Sequence, residues 1–209
     1  MTPFELFTPE KTAVLVVDKQ RAYADRELLL ARNRHLPDDF EARLEAIDTF
    51  IEAARAAGAA VAWTQMTEHE DVSPEPIAFK MKLDYSAVGL LPVAAKPGTP
   101  DYEIAGRVTP AENELVIAKN HYDSFSVPEL DTYLKSRSIT SVILIGGFMP
   151  RCVLGTAYGA NSHDYHVLLL QDLCFEPVEF AADTPHALNI INAILGYVDT
   201  SANLLKRWH

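Results

Sequence analysis

The sequence predicts an α/β fold: a mainly parallel β-sheet with helices on both faces. Two observations carry this. Short apolar runs alternate with longer segments of helical period, which is the mark of βαβ units. The runs are also apolar at consecutive positions and do not alternate apolar with polar, as strands buried on both faces require. The 209 residues lie within the roughly 100 to 250 over which one core usually forms, so residues 1–209 are read as a single domain.

In chain order the predicted strands run from Thr12 to Asp18, Ala59 to Met66, Glu114 to Lys119, Ser141 to Gly147 and His166 to Asp172, with a late short strand near Gly196 to Thr200. The clearest helix spans Asp38 to Ala57. Phe40, Leu44, Ile47, Phe50, Ile51 and Ala54 recur there at three- and four-residue spacing, and Gly58 follows as its stop. Further helices are predicted over Val127 to Ser136, Pro150 to Ser162 and Asp183 to Leu195, with a last one running to Trp208. The stretch from Thr67 to Pro100 has five prolines and little periodicity, so it reads as a long loop with at most a short helix. Loops of that length in a compact domain usually serve function, here as a lid or a subunit contact.

Eighteen basic and 29 acidic residues give a net charge of -11, which argues against a nucleic-acid surface or an anionic membrane, since both select basic patches. The two cysteines, Cys152 and Cys174, are too few and too far apart for a disulfide framework or a zinc motif and suit a reducing compartment. No stretch approaches the roughly 18 apolar residues of a membrane span, and the N-terminus lacks the pattern of a signal peptide. A cytoplasmic location is expected.

Three reactive side chains share one structural address. Asp18 closes the run AVLVVD, Lys119 closes ELVIAK, and Cys152 lies just past SVILIGG. The carboxyl edge of an open parallel sheet is where ligands bind, because the loops leaving the strands form a crevice there. Alone, a charged residue at a strand end is more often a simple surface terminus, and a lone cysteine is as often a small buried hydrophobe. Cys152 gains weight from Pro150, which suits the first position of a helix and places the thiol in the first helical turn. A helix N-terminus and a nearby lysine are expected to lower the thiol pKa, and the N–H groups of the same turn can receive an oxyanion. Cys174 has no such setting and is assigned to packing.

With these residues in view, the chain resembles the isochorismatase-like cysteine hydrolases, a family that includes nicotinamidases, N-carbamoylsarcosine amidases, biuret hydrolases and ureidoacrylate amidases. The resemblance rests on VLVVDKQ, PGTPDYEI, VIAKNHYDSF, IGGFMPRCVLGTAYGA and LLLQD, in that order over most of the chain. It implies a Rossmann-like sheet of six strands in three αβα layers, and an Asp-Lys-Cys triad at Asp18, Lys119 and Cys152. Asp18 would move the protons, Lys119 would act by charge, and Cys152 would attack a carbonyl to form a thioester. The implied oxyanion donors are the backbone N–H groups of Met149 and Cys152. A cis peptide that many members carry in this turn would fall between Phe148 and Met149. Members commonly oligomerise, so a homo-oligomer, dimer or tetramer, is implied, with a small-molecule substrate and no cofactor.

Two departures narrow the substrate. Many members have a small residue and Thr-Asp before the cysteine, where this chain has Phe148, Met149, Pro150 and Arg151. The Asp-x-His of the nicotinamidase zinc site is replaced by Met66, Thr67 and Glu68, so no metal is expected, and Glu68, His69 and Glu70 read as loop charges. Gln20, Tyr23, His121, Tyr122, Phe125, Phe148 and Arg151 are candidate pocket residues, while His163 and His166 read as structural. The apolar stretch Ile77 to Leu91 is expected to seal the pocket or meet another subunit. The leading expectation is hydrolysis of a C–N bond in a small amide, ureide or carbamoyl compound. A vinyl ether hydrolase in which Cys152 is incidental stays open, as does a silent relative acting as a binding protein.

Overall fold

The computed structural model of the chain describes residues 3–31, 33–67 and 95–208. Its centre is a six-stranded sheet formed by β1 (Thr12–Val17), β2 (Ala60–Met66), β3 (Leu115–Lys119), β4 (Ser141–Gly147), β5 (His166–Phe175) and β6 (Tyr197–Asp199). The order is β3-β2-β1-β4-β5-β6, with every pair parallel. The order reverses direction beside β1, so β1 and β4 flank the point where ligand crevices form in such sheets.

Strand β1 shows why its sequence is uniformly apolar. Val14 and Val16 enter one core cluster and Ala13, Leu15 and Val17 enter the other, so both faces are covered. The first cluster is closed by α3 (Phe40–Ala57), which follows the short helices α1 (Arg21–Ala24) and α2 (Arg26–Leu30). The second is closed by α4 (Pro128–Ser136) and α5 (Leu154–Ser162). Helices α6 (Thr184–Ile190) and α7 (Ser201–Trp208) complete the two outer layers. Gly58 ends α3 in the left-handed region at φ 89°, with its N–H donating to the carbonyls of Ala54 and Arg55, as its place in the sequence predicts.

Some boundaries differ from the expectation. β5 continues three residues past Asp172, because a register shift opposite Leu144 and Gly146 lets the polar pair Gln171-Asp172 stay within the strand. Helices α1 and α2 were not anticipated, being too short to show a period. The segment expected to run as one helix from Pro150 begins as a π-type turn, Met149–Val153, and the run to Leu195 likewise ends in a π-type turn, Ile191–Leu195. The expected long loop, the apolar stretch Ile77 to Leu91 and the charges Glu68, His69 and Glu70 lie outside the described residues apart from Thr67 and residues 95–100. No helix among the described residues is long and apolar enough to cross a membrane.

Candidate active site

Four consecutive strands of the sheet each deliver one residue to the same edge. Asp18 leaves β1 in the left-handed region, at φ 47°, and its N–H donates to the Thr64 carbonyl at 3.1 Å. The Thr64 hydroxyl on β2 donates to one carboxylate oxygen of Asp18 at 2.7 Å. Lys119, the last residue of β3, donates to the other at 2.7 Å. Cys152 follows β4, and its thiol lies close enough to Asp18 and Lys119 for the charges of both to act on it. All three are buried, with exposures of 1% for Asp18, 2% for Lys119 and 8% for Cys152. Lys119 is further fixed by the His121 carbonyl at 3.1 Å.

Glycine shapes the route from β4 to Cys152. Gly146 has φ 108°, and a Cβ there would lie 2.2 Å from the Val17 carbonyl, so β4 can meet the end of β1 only without a side chain. The Arg151 and Val153 N–H groups donate to the Phe148 carbonyl at 3.0 and 3.3 Å and close the wide turn holding Cys152. Single π-type turns of this kind recur at functional sites. The cis peptide lies between Gly147 and Phe148, one residue before the expected Phe148–Met149 bond. Gly159 lets α5 approach the loop after β3, where a Cβ would sit 2.0 Å from the Asp123 carboxylate.

Burial pushes the Cys152 thiol up, and the nearby Asp18 carboxylate adds to this, while the Lys119 ammonium works against both. The expected lowering by the helix start and the lysine is therefore reversed in the closed site, because desolvation is the largest effect. Burial also works to lower Lys119, but Asp18 and Cys152 outweigh it and hold the ammonium above its ordinary value. The two directions favour a charged Lys119 and a protonated Cys152.

The other expected residues separate. Gln20 is fully buried, its amide accepting from the Met66 N–H at 2.7 Å and donating to the Met66 and Tyr102 carbonyls, so it ties backbone together rather than facing open space. Phe125 stacks on His163, centroids 4.9 Å apart, near the far end of α5 from Cys152. Sequence distance from Lys119 says nothing about the direction in which Phe125 packs. Tyr23 meets Phe148 edge to face at 5.5 Å, and Arg151 lies over the Phe180 ring at 3.9 Å. Met149 is buried, Tyr122 is half-buried, and His121 is exposed. His163 bonds the Gly159 carbonyl at 2.9 Å, His166 opens β5 on the surface, and Cys174 is buried in the second core.

Sequence reading missed Thr64, whose signal was a hydroxyl inside the apolar run AVAWTQM, level with Val17 in the sheet. It also missed Lys19, whose ammonium pairs with Asp48 of α3 at 2.6 Å, both fully buried, and bonds the carbonyls of Ala105 and Val108. Among the described residues no group of three or more His, Cys, Asp or Glu is placed to hold a metal ion.

The chain is similar to known proteins in sequence and in fold. The family model for the isochorismatase domain matches residues 12–202. The ureidoacrylate amidohydrolase RutB of Azorhizobium caulinodans is 29% identical over 209 residues, covering 94% of this chain and 90% of that protein. The RutB of Klebsiella pneumoniae is 27% identical over 175 residues, covering 79% of this chain and 74% of its own length. In fold, a cysteine hydrolase from Pseudomonas syringae superimposes with a TM-score of 0.77 at 24% identity, over 97% of this chain and 94% of that one. The N-carbamoylsarcosine amidase of Thermoplasma acidophilum does so at 0.70 and 20% identity, over 91% and 96%. A family match over the whole sheet, on a chain with this strand order, makes the protein a member of the isochorismatase family of hydrolases.

Proposed function

We propose that the protein hydrolyses a C–N bond of a small amide, ureide or carbamoyl compound through a thioester at Cys152. The observation that carries this is a buried thiol beside the ion-paired Asp18 carboxylate and Lys119 ammonium. A carboxylate within reach of a protonated sulfur is the arrangement general-base activation needs. The similarity to proteins named ureidoacrylate amidohydrolase supports the substrate class and makes ureidoacrylate the first compound to test.

In this reading Asp18 takes the thiol proton as the sulfur attacks the carbonyl carbon. The oxyanion is received by the N–H groups of Met149 and Cys152, which the two turn bonds to Phe148 do not use. Collapse breaks the C–N bond, and Asp18 returns the proton to the departing nitrogen, which leaves as ammonia or an amine. Water then gives a proton to Asp18 and attacks the thioester, releasing the acid and restoring the thiol. Lys119 stays charged throughout, holding Asp18 and favouring the thiolate as it forms. Thr64 fixes the other carboxylate oxygen and so sets which oxygen faces the sulfur. The chemistry needs no cofactor. We take the chain as one catalytic domain of a cytoplasmic homo-oligomer, in line with its two free thiols.

The test is a screen for ammonia release over small amides, ureides and carbamoyl compounds, with ureidoacrylate included and Cys152→Ala as control. Turnover that vanishes in Cys152→Ala is the expected result. Turnover that survives the substitution would remove Cys152 from the reaction.

A further inference from the structure

Arg151 stands next to the nucleophile, and it differs from the arginines that brace the surface. Arg21, Arg26, Arg43, Arg55 and Arg107 each pair with a carboxylate, at 2.5 to 3.1 Å. In a chain with 29 acidic residues to 18 basic ones, such pairing is easily met. Arg151 has neither a carboxylate nor a hydrogen-bond acceptor among the described residues. Its guanidinium lies instead over the Phe180 ring, 3.9 Å from the centroid. A second arginine, Arg34, approaches the same ring at 5.3 Å, and its guanidinium bonds the Asn33 carbonyl at 3.1 Å. The adjacent acid, Glu179, is held by the ring and backbone N–H of His35, at 2.5 and 3.2 Å.

Phe180 also joins the wall of the nucleophile turn. It packs on Phe148 at 5.8 Å, and Phe148 meets Tyr23 and Phe175 edge to face. A guanidinium stacked on a ring keeps its in-plane N–H donors free for a planar anion, which it can grip with two parallel bonds. Two like charges on one ring also repel each other, and a bound anion relieves that repulsion.

We infer that Arg151 is a specificity-determining residue that anchors a carboxylate of the substrate, so that the compound cleaved is a small acid carrying its amide or ureide a few bonds away. This rests on the proposed hydrolysis at Cys152. Phe180, which carries the guanidinium, packs on Phe148 at the start of the turn that holds Cys152, and this sets the anchor beside the attacked carbonyl of one small molecule. Arg34, 5.3 Å from the Phe180 centroid, is the second positive charge at this end of the wall.

Two measurements test it. The first compares kcat/KM for 3-ureidopropionate and 3-ureidoacrylate with that for their methyl esters, in the unaltered protein, Arg151→Met and Arg151→Lys. The acids should be preferred by about 10- to 150-fold, the range for a hydrogen bond to a charged group, with the difference in KM. Arg151→Met should lower kcat/KM for the acids far more than for the esters and so erase the preference, and Arg151→Lys should restore part of it. Equal losses on acid and ester, or an ester preferred by the unaltered protein, overturn the inference. The second is calorimetric binding of succinate and of succinamide to Cys152→Ala. Succinate should bind more tightly, and adding Arg151→Met should remove the difference; binding that is blind to charge overturns the anchor. If no amide is cleaved at all, the hydrolytic reading fails while this second measurement still reports on the anchor.

Discussion

The Lys119 ammonium reaches the Asp18 carboxylate at 2.7 Å across an intervening strand, and the pair is almost wholly buried. Removing one partner leaves an uncompensated charge in the interior, so Lys119→Met should cost about 3 to 5 kcal/mol of stability. It should also slow turnover by about 10²- to 10³-fold, the size of losing one oriented charge at a reacting centre. Lys119→Met with Asp18→Asn should be less destabilised than the sum of the single changes, since no lone charge then remains. Urea unfolding of the four proteins measures this, and simple additivity would show the pair to be uncoupled.

Because burial raises the Cys152 thiol, its alkylation should have a distinct pH profile. A group raised above its ordinary value of 9.0 is protonated through the neutral range. The rate with iodoacetamide should therefore still be climbing at pH 9, with no plateau between pH 6 and 7. A plateau at neutral pH would mean that Lys119 stabilises a resting thiolate.

The Lys19–Asp48 pair ties the first residue after Asp18 to α3, and Asp48 also accepts the Arg107 N–H at 2.8 Å. Asp48→Asn leaves the Lys19 ammonium buried without a counter-charge and should cost about 3 to 5 kcal/mol. A loss below 1 kcal/mol in urea unfolding would mean that Lys19 escapes to water.

Two glycines with positive φ should respond unequally. Gly58→Ala puts its methyl group in open space and should cost about 1 kcal/mol through backbone conformation alone. Gly146→Ala drives a Cβ into the Val17 backbone and should leave no folded, active protein. Similar thermal midpoints for both would remove the close approach of β4 to β1 as the reason for Gly146.

Glu114 accepts from Arg55 at 2.7 Å, from the Trp63 indole at 2.6 Å and from the Ala111 N–H at 3.0 Å. Burial works to raise its carboxyl, but these donors outweigh it and hold the group below its ordinary 4.5. A depressed folded-state value stabilises above the ordinary pKa, and that stabilisation is lost as pH falls through the folded value. Stability should thus drop below about pH 4.5, and Glu114→Gln should shallow that drop while costing about 1 to 3 kcal/mol at neutral pH. An unchanged acid limb would place the proton-linked loss elsewhere.

The sequence by itself determined the parallel sheet, the strand that ends on Asp18, the one that ends on Lys119, and the turn carrying Cys152. Those properties are local: consecutive apolar residues mark a strand covered on both faces, and a proline two residues before a cysteine marks a helix start. Gly58 was legible for the same reason. Tertiary structure alone decided what lies across from what. Thr64 meets Asp18 because β2 pairs with β1 in one register, and Lys19 finds Asp48 because α3 crosses that strand. Phe125 turns to His163 and Gln20 to the backbone of Met66, directions that no local pattern encodes. The state of the Cys152 thiol was least legible of all, since a helix start and a lysine can be read from neighbouring residues but desolvation depends on everything packed around the sulfur.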